Sequence, residues 1–310
     1  MKKILKISLI FGLVGMVSTF YLSGCNSDTI SPENEQLKNI KDGFAIEFDD
    51  SIIINHTDID YYDFSTHIIY LKKSNSFLNS YMGYGKFSIY AEREKIYEGS
   101  IHPGYSSSSP YQPVIWVAPS SYPDYLIRID FINMLDSLGN PIREDPRSDI
   151  RTINALKKYD QYHEGLSCTI DHALQMTNGK IKFTFTVSNN DASDYFILSP
   201  EKMGSGLFHY FTNGLYVCVP GEVWMSHRDQ TIQPELWDGW NQGWFDVLRS
   251  GSFRAYTITY ENFDPVPKGQ YDIFFEFPGL SNQVRREELV NRFGRIWLGD
   301  INATGRITIN

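Results

Sequence analysis

Apolar and polar positions alternate along most of the chain after residue 43, the period of a strand with one face covered. Phe44, Ile46 and Phe48 share one parity, and residues 52–54 continue as an apolar run. Residues 68–71, 87–90, 114–117 and 125–131 read as further strands. Turn-forming clusters separate them, at 83–85, Gly99, Pro103-Gly104, 106–110 and 119–123. The pattern predicts a mainly β domain over residues 43–145. Asp145 then stands where a helix cap belongs, with Pro146 at the first helical position and Asp149 in the first turn. Ile150, Ile153 and Leu156 give an apolar stripe, so a helix is predicted over 146–159, inside a linking segment 146–164.

Alternation resumes at Leu166, Cys168 and Ile170 and at Ile181, Phe183, Phe185 and Val187, with Asn178-Gly179 as a hairpin turn between them. Strands follow at 195–198, 215–219, 253–260, 271–277, 295–298 and 307–309. A second helix is predicted over 283–292, with Ser281 as its cap and Arg285 three residues before Glu288. Short strands with frequent turns over residues 165–310 predict a two-sheet sandwich. The fold class is therefore mainly β, with two β-rich domains joined by a short helix.

The first residues follow a different rule. Lys2, Lys3 and Lys6 precede an apolar stretch over 7–20, which is shorter than a spanning helix and ends in small residues. This is the layout of a secretory signal peptide over 1–24. The phrase Leu22-Ser23-Gly24-Cys25 resembles the lipobox of bacterial lipoproteins. The resemblance implies cleavage before Cys25, a diacylglycerol on its thiol and acylation of the new amino terminus. Each buried methylene contributes about 0.8 kcal/mol, and two or more chains anchor stably where one does not. In such lipoproteins of Gram-negative bacteria an aspartate after the cysteine marks inner-membrane retention. Asn26 stands there instead, which fits the outer membrane. Polar residues 27–36 extend a lipidated tether over 25–42.

Composition narrows the function classes. At 42% hydrophobic and 15% aromatic over 310 residues, the chain is too apolar for intrinsic disorder. Its 28 Lys and Arg against 37 Asp and Glu leave a net charge of −9, which disfavours nucleic acid as a partner. Loss of residues 1–24 would take that charge to −12, so a lipid rather than a basic patch would hold the protein to a membrane.

The phrases Phe185-Thr186-Val187-Ser188-Asn189-Asn190 and Pro267-Lys268-Gly269-Gln270-Tyr271-Asp272-Ile273 are similar to strand-edge phrases of immunoglobulin-like bacterial domains, the intracellular-proteinase-inhibitor type among them. That resemblance implies an immunoglobulin-like sandwich for the second domain and carries no inhibitory residue.

Chemistry-bearing motifs have sober readings. Gly104-Tyr105-Ser106-Ser107-Ser108 begins like a nucleophile elbow but lacks the closing glycine and a following helix, so no catalytic residue is assigned. Asp58, Asp60 and Asp63 lack the glycine of a calcium loop and read as solvated acids in a turn. The histidines His56, His67, His102, His163, His172, His209 and His227 are dispersed without zinc-site spacing, and neither a metal nor a cofactor is assigned. Cys168 and Cys218 are either a disulfide between two strands or two buried thiols. Trp237, Trp240 and Trp244 lie near Asn241, Gln242 and Asp238. They form either a platform for stacking a sugar or, at helical spacing, a face packed on a core.

The resulting expectation is a lipid-anchored protein of the bacterial cell envelope that acts by binding or scaffolding. Its partners would be the membrane through the anchor and an envelope protein or glycan. Carbohydrate recognition through the tryptophans and an envelope hydrolase are the alternatives.

Overall fold

Residues 68–71 are apolar at every position because the sheet that holds them is covered on both faces. That sheet has the order β8-β4-β3-β9, formed by β3 (Ile59–Asp63), β4 (Ile68–Leu71), β8 (Leu126–Arg128) and β9 (Tyr162–His163). Side chains alternate across a strand. Tyr62, Ile69, Leu71 and Ile127 therefore enter one core, while Tyr61, Ile68, Tyr70 and Leu126 enter another. A strand buried on both sides reads as a continuous hydrophobic run.

The computed structural model describes residues 39–49, 51–75, 81, 83–107, 110–117, 122–132, 142–176, 180–212, 214–219, 222–225, 231–235, 239–260, 266–280 and 284–310. The signal peptide, Cys25 and its tether to residue 38, the Asn178-Gly179 turn, Trp237 and the Ser281 cap lie outside the described residues.

The first core is closed by a sheet of order β2-β1-β5-β6-β7. Its strands are β1 (Phe44–Phe48), β2 (Ile52–Asn55), β5 (Gly85–Ala91), β6 (Glu94–Pro103) and β7 (Val114–Val117). The strand β6 was not expected, because Gly99 reads as a turn. Gly99 sits inside the strand instead, where a Cβ would collide with the Phe87 ring and the Pro113 carbonyl.

The helix expected over 146–159 divides in two. Asp145 accepts from Arg147 N at 3.0 Å to cap a 3₁₀ turn, Pro146–Ser148. Asp149 (ψ 130°) leaves the helical region and caps α1 (Ile150–Lys158) by accepting from Arg151 N at 2.8 Å. The break alters which side faces inward: Thr152, Ala155 and Leu156 are buried, and Ile150 is exposed.

The second core lies among three further sheets. The first has the order β10-β11-β16, from β10 (Leu166–Met176), β11 (Lys180–Asn189) and β16 (Phe253–Tyr260). Another has the order β14-β13-β17-β20, from β13 (Leu215–Val219), β14 (Glu222–Met225), β17 (Gly269–Phe277) and β20 (Ile301–Ile309). The last has the order β15-β12-β19-β18, from β12 (Tyr195–Leu198), β15 (Phe245–Leu248), β18 (Val290–Asn291) and β19 (Gly294–Ile296). Phe183 and Phe185 on β11 meet Phe275 on β17 at ring separations of 5.0 and 4.7 Å. Two short helices, α2 (Pro200–Met203) and α3 (Ser205–Phe211), follow β12 and had no counterpart in the sequence reading.

The helix expected over 283–292 is corrected to one 3₁₀ turn, Arg286–Glu288, followed by β18. Val284 and Leu289 are both buried. On a helix those positions would face roughly 140° apart, so one helical face cannot bury both. Leu289 instead accepts from Ile296 N at 2.8 Å, which draws the chain into the sheet, while the Arg285–Glu288 pair persists at 2.6 Å.

The fold is thus mainly β, and the expected boundary near residues 146–164 falls inside one compact unit, Ile40–Asn310. Bonds distant in sequence cross that boundary. Tyr125 Oη donates to Val284 O at 2.6 Å, and Arg286 Nε donates to Leu71 O at 2.9 Å.

Candidate functional site

Strand β7 and the residues after β8 meet where Val114 and Asp130 exchange two backbone hydrogen bonds of 2.8 Å. Strand alternation then sorts their side chains. Ile115, Val117, Ile127 and Ile129 enter the first core, leaving Trp116, Arg128 and Asp130 on the opposite face. The turn Ser65–His67 and the entry to β20 close round this face and bound a cleft of about 530 Å³. Gly299 makes that closure feasible, because a Cβ there would collide with the Thr66 side chain. The next residue, Asp300, is thereby delivered to Arg128.

Arg128 is the centre of the cleft's polar network. Its Nη2 donates to Asp300 Oδ1 at 2.8 Å, its Nη1 to Asp300 Oδ2 and to Tyr122 Oη, and its Nε to Asp130 Oδ1 at 2.7 Å. Burial works against the guanidinium charge, but the Asp300 bonds and the surrounding negative groups raise its pKa above the ordinary value. Arg147 forms a second fork with Asp145, through Nε at 2.9 Å and Nη2 at 2.6 Å. It also donates from Nη1 to Ile129 O at 2.7 Å and lies 5.7 Å from the Phe131 ring centre. Burial alone would raise the Asp145 pKa, yet its bonds to Arg147 hold it below the usual carboxylate range.

His67 completes the wall. Its backbone has φ 53°, its Nδ1 pairs with Tyr62 Oη at 3.0 Å, and the ring is buried. Burial, reinforced by Arg147, pushes its pKa down to about 3, so the imidazole stays neutral near pH 7. The cleft therefore presents fixed donors and acceptors in which two guanidiniums are bonded to three carboxylates.

A second polar cluster lies on the second-core face of β3, outside the cleft lining. Tyr195 Oη donates to Asp191 Oδ2 at 2.5 Å, His163 Nδ1 pairs with the same oxygen at 2.8 Å, and the Tyr61 and Tyr195 hydroxyls are bonded to each other. The Arg295 guanidinium lies 4.1 Å from the Tyr61 ring centre. The Asp191, His163, Tyr61 and Tyr195 groups bond to one another and read as a structural tie.

The sequence candidates are placed as follows. Trp240 and Trp244 are half-buried on the second core. Trp240 lies 5.8 Å from Phe245, and Trp244 lies 5.8 Å from Phe211. A 3₁₀ turn, Gln242–Trp244, separates them in place of a helix. Cys168 and Cys218 are free thiols on β10 and β13, the first buried and the second half-buried. Of the three aspartates, Asp58 and Asp60 are exposed as expected, but Asp63 is fully buried in β3 and the solvated reading is corrected for it. Gly104 and Tyr105 form an exposed turn after β6. Among the described residues, no group of three His, Cys, Asp or Glu side chains is placed to hold a metal ion, and no helix is long and apolar enough to cross a membrane.

Sequence reading missed the cleft. Its one local signal is the strict alternation Ile127-Arg128-Ile129-Asp130, two charges on the outward face of a strand. Comparison with models of known protein families and with curated proteins finds no match for this chain.

Proposed function

We propose that this chain is a lipid-anchored binding module of the bacterial cell envelope, held at the outer membrane through Cys25 and using the cleft as its ligand site. The carrying observation is the Arg128–Asp300–Asp130 network, a partly exposed set of rigid donors and acceptors beside Trp116 and Phe131. A pocket with a few fixed polar groups and aromatic walls suits binding of a small polar ligand. The lipobox supports the anchor. The proposal includes an immunoglobulin-like sandwich in residues 165–310, supported by the facing aromatics of β11 and β17, packed in one unit with a β-rich domain over 43–145.

Growth with labelled palmitate tests the placement. The wild-type protein is expected to carry label and to fractionate with the envelope, and Cys25→Ala to lose both. Identical labelling and fractionation of the two would overturn it.

A further inference from the structure

We propose that the cleft binds a neutral oligosaccharide, which stacks on Trp116, bonds its hydroxyls to Arg128, Asp130 and Asp300, and extends over His102 and Tyr84. This rests on the reading of the cleft as a ligand site and adds the ligand's chemical class.

Charge selects the class. Arg128 is bonded to both Asp130 and Asp300 and Arg147 to Asp145, two cations against three carboxylates, and His67 is neutral. An anionic ligand would find no uncompensated cation there. A cation would have to compete with guanidinium groups already bonded to the carboxylates. A ligand rich in hydroxyls has neither problem. One hydroxyl can accept from the N–H that Arg128 has left, and others can donate to lone pairs of Asp130 and Asp300. Because the pairs already hold the side chains in place, little rotamer freedom is lost on binding.

Aromatic placement supplies the second argument. Trp116 lines the cleft beside these groups, so an apolar sugar face and its hydroxyls can be met together. The rings then continue outward across neighbouring strands. His102 on β6 is the registered partner of Trp116 on β7, with ring centres 5.6 Å apart. Tyr84, just before β5, lies 5.0 Å from His102 and is 63% exposed. Three contiguous rings leading from a polar cleft to open surface favour a chain of sugar units over a single one.

The test is calorimetric titration of the detergent-solubilised full-length protein with neutral oligosaccharides, namely cellohexaose, maltohexaose, xylohexaose and mannohexaose, and with anionic oligogalacturonate. We expect one neutral oligosaccharide to bind with affinity unchanged between 50 and 500 mM salt, a change that shortens the screening length about threefold. Trp116→Ala should weaken it at least tenfold. Tyr84→Ala, at a surface position that leaves the unfolding midpoint unchanged, should weaken the hexasaccharide severalfold and leave the disaccharide unaffected. Binding of oligogalacturonate alone, binding unaltered by both variants, or no binding across the set would each overturn the inference. Palmitate labelling is independent of all three results, so failure here leaves the anchored placement standing. Cleavage of the bound oligosaccharide would uphold the saccharide site and overturn the non-enzymatic reading.

Discussion

The indole of Trp297 donates from Nε1 to Asp63 Oδ2 at 3.0 Å, joining the two halves of the chain inside the protein. Asp63 is fully buried and also accepts from Ser65 N at 3.0 Å and Ser65 Oγ at 2.6 Å. Burial nonetheless dominates and raises its pKa above the ordinary carboxylate value. The native state then holds a proton more tightly than the unfolded chain. That stabilisation is complete below the unfolded pKa of about 3.9 and is lost as pH rises through the folded value. An amide at this position does not titrate. The stability of Asp63→Asn relative to wild type is therefore expected to improve from pH 4 to pH 7.5 in urea unfolding. A difference independent of pH would contradict the raised pKa.

His67 acts in the opposite sense. Its pKa falls to about 3, chiefly by burial and then through Arg147 and Arg128, with Asp145 opposing. The unfolded chain protonates this residue below about pH 6.5 while the native chain does not. Wild type therefore loses stability as pH falls from about 6.5 toward 3, at up to about 1.4 kcal/mol per unit. Asn tolerates the left-handed backbone that His67 adopts. His67→Asn is expected to shed that acid sensitivity, with a flatter unfolding free energy between pH 6.5 and 4.5. Parallel pH profiles for the two proteins would show that the imidazole titrates normally.

How far the sequence could reveal this molecule depended on range. Elements set by local apolar runs or alternation were legible: 68–71, 114–117, 195–198, 215–219 and 253–260 all coincide with strands. Elements that answer to distant neighbours were not. Gly99 looked like a turn because the Phe87 ring that crowds it lies on another strand. Residues 283–292 looked helical because the Ile296 amide that claims Leu289 comes from beyond the segment. The tryptophan cluster left a stacking platform and a core-packed face both open from its spacing and polar neighbours, and Trp240 and Trp244 pack on the core. The cleft was hidden because Arg128 on β8 and Asp300 just before β20 lie 172 residues apart, at different sheets. Nothing in the sequence between them announces that Gly299 lets the chain close over Thr66.

The thiols give a direct chemical check. Burial, with Asp171 nearby, raises the Cys168 pKa to about 12, and burial with Asp272 raises that of the half-buried Cys218. Thiolates are the reactive species, so both should be slow toward a thiol reagent, and Cys168 the slower. In a Cys25→Ala background these are the remaining two cysteines. Native protein is expected to release about one equivalent slowly from Ellman's reagent, and a second only in denaturant. Absence of any free thiol in denaturant without reductant would mean that Cys168 and Cys218 are bonded after all.

The Arg128–Asp300 fork should be energetically coupled as well as close. Both side chains are about four-fifths buried, at 21% and 23% exposure, so solvent screens the pair less than it would a surface pair. Removing one partner leaves the other charge desolvated without its best bond. Asp300→Ala is expected to cost roughly 2–4 kcal/mol. In Arg128→Met the guanidinium is gone, so deleting Asp300 as well should cost much less than it does in wild type. A double-mutant cycle in urea should give a coupling of about 1.5–3 kcal/mol. A coupling near zero would mean that the two groups do not meet in solution. The entry to β20 would then lack the tie that holds it over the 65–67 turn, and the cleft would lose the wall that Asp300 contributes.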